Sequence, residues 1–453
     1  MPKVEYTPRR RSQPASRKVI HYHGPFYDPS GYAQAARGYA LTLAELGWEV
    51  KIHPARFWSS LSVPLDPRVK MRLMSMESPS ESSLGSLRLY HMTPEFYPTH
   101  SFGGVRTCYV VTEVSRIHPL WVDRINRMHT VFTASEFCKQ VFIKSGVTRP
   151  IYVVPHGFDP NMYYPAGKLG RGPLRFISVF QWTIRKGFDV LLKAYLDAFK
   201  PEDDVELVLV TYRSNISEGE FKAIEADMKK IIEDRSHPKI TMVRPFLAEK
   251  ALADLYRGSH VFVLPSRGEG FCLPCLEAMA CGCMPVVTDA TALPELVRPD
   301  YGRLIKVNGW VECYGMPWIP WYRPAGGFRP QWVEPSVDSL ADIMKWCYEN
   351  RDEVVAKGAK PIGYGNVIAS SSAERRRLMA EGAKEAMDKY RLVLLKGHTH
   401  PDTTYDAIDA CVVGVCDKFI PVDGAKPGDS LVVAIDSVSY THLRAHETEA
   451  ELV

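Results

Sequence analysis

Two glutamates, Glu269 and Glu277, stand eight positions apart in the stretch PSRGEGFCLPCLEAMACGCMPVVTD at 265–289. A carboxylate accepts two hydroxyl hydrogen bonds at once, which is what a sugar diol or a ribose presents, and charge-assisted bonds outweigh neutral ones. Gly268 and Gly270 flank Glu269 and let the backbone come close to a ligand. Pro274 suits the first turn of a helix and Gly282 a left-handed end, so a helix is expected from about Pro274 to Cys281, with Glu277 one turn in. The N–H groups at such a helix start suit an anion. Room for an anion and two hydroxyl-bearing groups suits a nucleotide sugar. By spacing alone the competing reading is two solvated glutamates, one in a loop and one in a helix.

The elements that must position these residues follow from hydrophobic period. VIHYHGPF reads as a strand, DPSGYAQAARGYALTLAELGW as a loop and amphipathic helix, and EVKIHP as the next strand, a βαβ opening. Strand-like runs recur at RLYHM, TCYVVTEV, HTVFTA and PIYVVP with helical patterns between them, as a mostly parallel sheet requires. Residues 19–160 form one expected α/β unit. HGFDPNMYYPAGKLGRGP loses periodicity and gains Pro and Gly, as a linker does. A second run of alternating strands and helices begins at LRFISVF and leads through HVFVLPS into the two-glutamate stretch, so residues 161–396 form the second unit. Two such units joined by a linker are expected to face each other across a ligand-holding cleft. The Trp-rich segment NGWVECYGMPWIPWYRPAGGFRPQWVEP is expected to be a packed loop. SVDSLADIMKWCYENRDEVVAKG and SAERRRLMAEGAKEAMDKYRLVLL read as closing helices. Residues 397–436 carry two expected strands, in ACVVGVCDKF and DSLVVAID. The last 17 residues, SVSYTHLRAHETEAELV, resemble the translated adaptor string at the ends of some metagenomic reading frames, an ordinary polar tail being the alternative.

Composition narrows the class. At 453 residues the chain exceeds one ordinary core. With 45% hydrophobic and 24% charged residues it is of globular type, and no apolar run reaches the ~18 residues that span a bilayer. A cytoplasmic protein is expected. The formal charge of +4 comes from residues 1–18, where Lys3, Arg9, Arg10, Arg11, Arg17 and Lys18 oppose Glu5, a net +5 that leaves −1 elsewhere. The basic excess therefore belongs to a Pro/Ser/Arg-rich leader, expected to be disordered, and not to a nucleic-acid face. Such an arm suits weak contact with an anionic membrane surface. Cys272, Cys275, Cys281 and Cys283 crowd together, but five residues between the pairs are too few for a zinc loop, so they are read as small hydrophobes. No G-x-G-x-x-G follows the first strand, which argues against a dinucleotide oxidoreductase.

EGFCLPCLE resembles the E-x7-E signature of retaining glycosyltransferases of family 4, the glycosyl transferases group 1, which have the GT-B fold of two Rossmann-like α/β domains. PSGYAQAARGYALTLAELGWEV, FTASEFCKQVFIKSGV, YVVPHGFDPNMYYP and SVFQWTIRKGFDVLLKAYLDAF are similar, in order, to the family's opening loop and helix, its strand-helix segment, its interdomain linker and its phosphate clamp. The likeness covers about residues 19–395. It implies that Glu269 holds hydroxyls of the transferred sugar and Glu277 the ribose. Lys186, with Arg185 beside it, would neutralise the departing diphosphate, and the N–H groups of Gly270, Phe271 and Cys272, with Leu273 next to them, would line the donor. Gly31 would let the backbone approach donor or acceptor, and Arg244 to Phe246 would flank the base through the main chain.

The chain departs from the family at two places. Gln181 stands where many members carry a clamp arginine, and Glu113, in VVTEV, stands near where many carry a histidine; His91, ending RLYHM, is the other candidate to line the cleft. The resemblance implies a metal-independent, anomer-retaining transfer without a cofactor, from a nucleoside-diphosphate sugar to a glycan, lipid or small-molecule acceptor. The alternatives are a nucleotide-sugar epimerase or hydrolase of the same fold, and a non-catalytic nucleotide-sugar or glycan-binding protein.

Overall fold

The computed structural model describes residues 18–55, 65–79, 87–99, 103–165, 172–213, 218–243, 247–316, 319–323, 327–358, 363–369, 394–400 and 407–413. Contacts divide the chain into two units, Met1–Thr112 with Arg116–Val154, and Glu113–Ser115 with Pro155–Val453. The second unit's main segment thus starts at Pro155, before residue 160, and Phe158 packs on its core. It also takes in Glu113–Ser115: Val114 is buried with Cys313, Met316 and Trp332, and Ser115 N–H donates to the Gln331 carbonyl at 2.8 Å.

The first unit runs β1 (Val19–Gly24), α1 (Gly31–Glu45), β2 (Glu49–Pro54), α2 (Pro67–Met76), β3 (Leu87–His91), β4 (Val105–Tyr109), α3 (Pro119–Asn126), β5 (Thr130–Thr133), α4 (Glu136–Ser145) and β6 (Ile151–Val153). Its six strands are parallel, in the order β2-β1-β3-β4-β5-β6. Local chemistry sets the helix ends. Ser30 caps α1 by accepting from Ala33 N–H at 3.1 Å, and α4 ends at Gly146, whose φ of +103° suits a residue without Cβ. The order of strands reverses direction between β1 and β3, so the loops after these two strands are neighbours.

The second unit runs β7 (Leu174–Gln181), α5 (Phe188–Ala198), β8 (Val205–Tyr212), α6 (Glu218–Ile232), β9 (Lys239–Val243), α7 (Glu249–Arg257), β10 (Val261–Leu264), α8 (Leu273–Ala280), β11 (Met284–Thr288), α9 (Leu293–Leu296) and β12 (Arg303–Ile305). The parallel order is β12-β11-β10-β7-β8-β9. VELVLVTY of β8 is buried at all but its last residue, the mark of a strand covered on both faces. Both sheets were legible from such apolar runs in their central strands and from alternating ones, such as β2 and β5, towards the edges.

The Trp-rich segment is not simply a packed loop. It contains an antiparallel hairpin, β13 (Val307–Glu312) with β14 (Gln331–Pro335). β13 alternates half-buried and exposed residues with the period of two of a one-sided strand, a signal the surrounding Pro and Gly obscured. After it come α10 (Val337–Glu349) and α11 (Arg351–Gly358), then a small sheet in the order β16-β15-β17, formed by β15 (Gly363–Ala369), β16 (Leu394–His400) and β17 (Ala407–Val413). Most of SAERRRLMAEGAKEAMDKYRLVLL lies outside the described residues, and its last two leucines begin β16 instead of ending a helix. The strand expected in ACVVGVCDKF overlaps β17. The basic leader up to residue 17, DSLVVAID and the final 17 residues lie outside the described residues. No helix among the described residues is long and apolar enough to cross a membrane.

Gly187 joins a short 3-10 turn, Ile184–Lys186, to α5 at a φ of +72°, and a Cβ there would lie 1.9 Å from the Pro265 carbonyl oxygen. Left-handed strain and collision with backbone act together, so Gly187→Ala should lower unfolding free energy by about 2–4 kcal/mol in urea denaturation. Gly31→Ala, where a Cβ meets nothing within 4 Å, should stay within about 0.5 kcal/mol. Equal stability of the two variants would disprove the close approach of the loops after β7 and β10.

Candidate functional site

In the second unit the strand order reverses between β7 and β10, and the loops that leave their carboxyl ends, Trp182–Gly187 and Pro265–Cys272, lie side by side. Such switch points are where open parallel sheets bind ligands. Several contacts fasten the two loops. Arg267 N–H donates to the Arg185 carbonyl at 2.6 Å. The Arg267 side chain, 1% exposed, makes a bidentate pair with Asp189 of α5 at 2.8 and 2.9 Å and another with Glu334 of β14 at 2.6 and 3.0 Å. Its planar fork matches both carboxylates. Gly268 has no room for a side chain, since a Cβ would lie 2.0 Å from the Glu113 carbonyl oxygen.

Glu269 sits at the centre, 6% exposed. Its Oε1 accepts from Lys186 Nζ at 2.6 Å, from Ser266 Oγ at 2.7 Å and, more distantly, from Arg185 Nη1 at 3.4 Å. Burial works against the charged carboxylate, but the Lys186 and Arg185 charges and the Lys186 and Ser266 hydrogen bonds outweigh it, holding the group below the ordinary carboxylate range. The backbone of Glu269 is tied as well, its N–H donating to Thr291 Oγ1 at 3.2 Å. Thr291 itself has a φ of +59°, costly for a β-branched residue and tolerated where the surroundings over-determine it.

Arg185 donates Nη1 to the Gly268 carbonyl at 2.6 Å, and its Nη2 lies 3.7 Å from Glu113 Oε1. Burial disfavours the guanidinium charge, yet Glu113, Tyr322 and Glu269 raise its pKa above the usual value. Glu113 Oε2 accepts the Tyr322 hydroxyl at 3.0 Å. The Arg185 Nε and Thr183 Oγ1 atoms are buried without a hydrogen-bond partner in the structure, and a buried polar group in that state costs about 1–3 kcal/mol until an acceptor or donor reaches it.

Glu269, Lys186, Arg185 and Glu113 therefore come together. Glu277 lies in α8, 2% exposed, with the Tyr256 hydroxyl 3.5 Å from its Oε2; burial and the Glu277 charge together push the Tyr163 hydroxyl pKa up. Gly270, Phe271, Cys272 and Leu273 lead into α8, whose N-cap is Cys272 and whose left-handed end is Gly282, at a φ of +92°. Phe271 packs edge-on against His156, ring centroids 5.1 Å apart. Gln181 spends its amide on the Arg213 carbonyl at 3.1 Å. In the first unit His91 ends β3, fully buried, with Nδ1 2.7 Å from the Tyr22 hydroxyl and its ring 4.6 Å from Tyr109; Gly31 begins α1 on the neighbouring loop, exposed. Arg244 and Phe246 lie outside the described residues. The crowded cysteines pack as apolar groups, and burial pushes Cys281 up to about 12. Sequence reading missed Ser266, Thr291, Arg267 and Tyr322. Only Ser266 and Arg267 carried a signal, their place beside Glu269.

A family model described as glycosyl transferases group 1 matches residues 167–312. The GDP-mannose:cellobiosyl-diphosphopolyprenol alpha-mannosyltransferase of Xanthomonas campestris is 27% identical over 226 residues, 48% of this chain and 55% of that protein. The MMP alpha-(1→4)-mannosyltransferase of Mycolicibacterium hassiacum is 35% identical over 151 residues, 33% of this chain and 34% of that protein. The chain thus spans about half the length of the first relative and a third of the second. Sucrose-phosphate synthase from Thermosynechococcus elongatus shares the GT-B fold, with a TM-score of 0.54 at 16% identity over 83% of this chain and 98% of that one.

The lowered Glu269 pKa has a consequence with a definite sign. A carboxylate whose folded value is depressed contributes stability that is complete above its unfolded value, near 4.5, and lost as pH falls through the folded value. The stability advantage of the wild type over Glu269→Gln, followed by urea denaturation from pH 7 to pH 3, should hold to about pH 4.5 and narrow below it. A gap that stays constant down to pH 3 would remove the ionised carboxylate from the centre of the cluster.

Proposed function

We propose, from a chain whose residues 167–312 match the model of the glycosyl transferases group 1, that the protein transfers a sugar from a nucleoside-diphosphate sugar to a hydroxyl-bearing acceptor, a glycan, lipid or small molecule. The observation that carries this reading is the buried Glu269 carboxylate paired with Lys186 and Arg185 at the switch point of the second sheet. Glu269 receives hydroxyls of the sugar, and Glu277, with Tyr163 and Tyr256 around it, serves the ribose. The loop from Gly270 to Leu273 and Gln181 complete the donor side. Gly31, at the start of α1, and His91, at the end of β3, are the first unit's candidates to meet donor or acceptor.

As the glycosidic bond to the diphosphate breaks, charge grows on the leaving oxygens, and Lys186 and Arg185 stabilise it more in the transition state than in the ground state. These two cations do the work for which other enzymes use a metal, so the transfer is proposed to be metal-independent. Retention of the anomer follows if the acceptor attacks on the face the diphosphate leaves, with Glu269 held by its cations as an orienting acceptor and not as a nucleophile. Two relatives named as mannosyltransferases favour a hexose donor. The proposed setting is the cytoplasm.

A thermal-shift panel of ADP, GDP, UDP, GDP-mannose and UDP-glucose tests the donor class, since a ligand at ~100 times its Kd adds about 2.7 kcal/mol of stability. Lys186→Ala should cut release of nucleoside diphosphate from the bound donor by about 100-fold or more. Glu277→Ala should mainly raise the donor KM. A Lys186→Ala loss confined to affinity would make this a binding protein, and no shift with any nucleotide would refute the reading.

A further inference from the structure

Tyr322 lies in a 3-10 turn, Pro320–Tyr322, between the two strands of the Trp-rich hairpin, beyond residue 312 where the family match ends. Its ring packs edge-on against fully buried Trp332, centroids 5.8 Å apart, so the hydroxyl is delivered from a fixed support. That hydroxyl donates to Glu113 Oε2 at 3.0 Å, while Glu113 Oε1 stands 3.7 Å from Arg185 Nη2. Arg185 Nη1 is already bonded to the Gly268 carbonyl at 2.6 Å and leans on Glu269 at 3.4 Å. The Arg185 Nε–H is buried with no hydrogen-bond partner.

We infer that Tyr322 is a positioning residue for the proposed transfer, acting through Glu113 on Arg185. The inference deepens the functional reading above and rests on it. A guanidinium is planar, so fixing Nη1 on Gly268 and Nη2 towards Glu113 also fixes where Nε–H points. A buried N–H without an acceptor is costly, and an oxygen of the departing diphosphate is an anionic acceptor of the right chemistry. The cluster holds two cations, Arg185 and Lys186, and two carboxylates, Glu113 and Glu269, so the ions balance before a donor enters. What the hairpin controls is therefore the direction of a charge and not its amount. Direction matters most where charge is developing, which places the effect in turnover.

The test uses the full chain with Tyr322→Phe, Glu113→Gln and the double variant, each supplied with GDP-mannose and with UDP-glucose and followed by release of GDP or UDP with water as acceptor. Each single variant should lower kcat about tenfold, with KM within about twofold. Because Tyr322 acts through Glu113, the double variant should also lie about tenfold below the wild type and not about 100-fold. A Tyr322→Phe chain with wild-type kcat, or a double variant at the product of the singles, overturns the inference. Melting curves accompany the kinetics; if Tyr322→Phe fails to fold, Glu113→Gln decides, a lowered kcat at unchanged KM supporting the inference and an unchanged kcat overturning it. A wild type that neither binds nor cleaves these nucleotides brings down the transfer reading and this inference together, whereas silent variants beside an active wild type bring down only the inference.

Discussion

The buried charge of Glu269 is the constraint on which the rest of the second unit depends. A carboxylate enclosed to this degree stays ionised only if cations and donors meet it, and here Lys186, Ser266 and Arg185 do so from two loops that are far apart in sequence. Their meeting requires the strand order that places β10 beside β7. It also requires glycine at 187 and 268, where any side chain would collide with a carbonyl of the facing segment. Strand order, turn chemistry and electrostatics are thus three conditions on one carboxylate.

Arg267 extends that constraint outward. Its guanidinium joins the Glu269 loop to α5 through Asp189 and to the hairpin through Glu334, with the Tyr314 ring 5.3 Å away and the Tyr314 hydroxyl bonded to Glu334 at 2.9 Å. Buried ion pairs are a weak source of net stability, because desolvation offsets their attraction. Geometry is the better account of this one. Two bidentate pairs define the orientation of three elements at once, which hydrophobic packing of similar volume would not do.

Much of this was legible because it is local. The loop around Glu269, the helix start at Leu273 and Pro274, and the left-handed end at Gly282 are set by residues within a few positions of one another. Both parallel sheets follow from short apolar or alternating runs separated by helical patterns. The rest was not legible because it depends on contacts between residues distant in sequence. Tyr322 and Glu113 are 209 residues apart, and nothing in either neighbourhood points to the other. Glu113 falls inside TCYVVTEV, expected as a strand of the first unit, yet β4 ends at Tyr109 and Glu113 packs with the second unit, because Val114 and Ser115 bind the hairpin. The hairpin itself was hidden by its Pro and Gly, and the left-handed Thr291 runs against the preference of its own residue type.

The pairing of Lys186 with Glu269 also bears on how a donor would be received. A solvated lysine must shed water to meet a phosphate, whereas one held by a carboxylate in a largely buried site has already done so. An arriving diphosphate then exchanges with a carboxylate as a partner of the cation, and Glu269, partly released, can turn to the hydroxyls of the sugar. Such an exchange adds little net affinity in the ground state, because one charge-assisted bond replaces another. In the transition state the leaving oxygens carry more charge than before, and the same cation, already in place and already dry, gains attraction without further reorganisation. A closed ion pair is thus no obstacle to the proposed chemistry: it holds both the cation and the carboxylate in position, and its opening links binding of the diphosphate to presentation of the carboxylate.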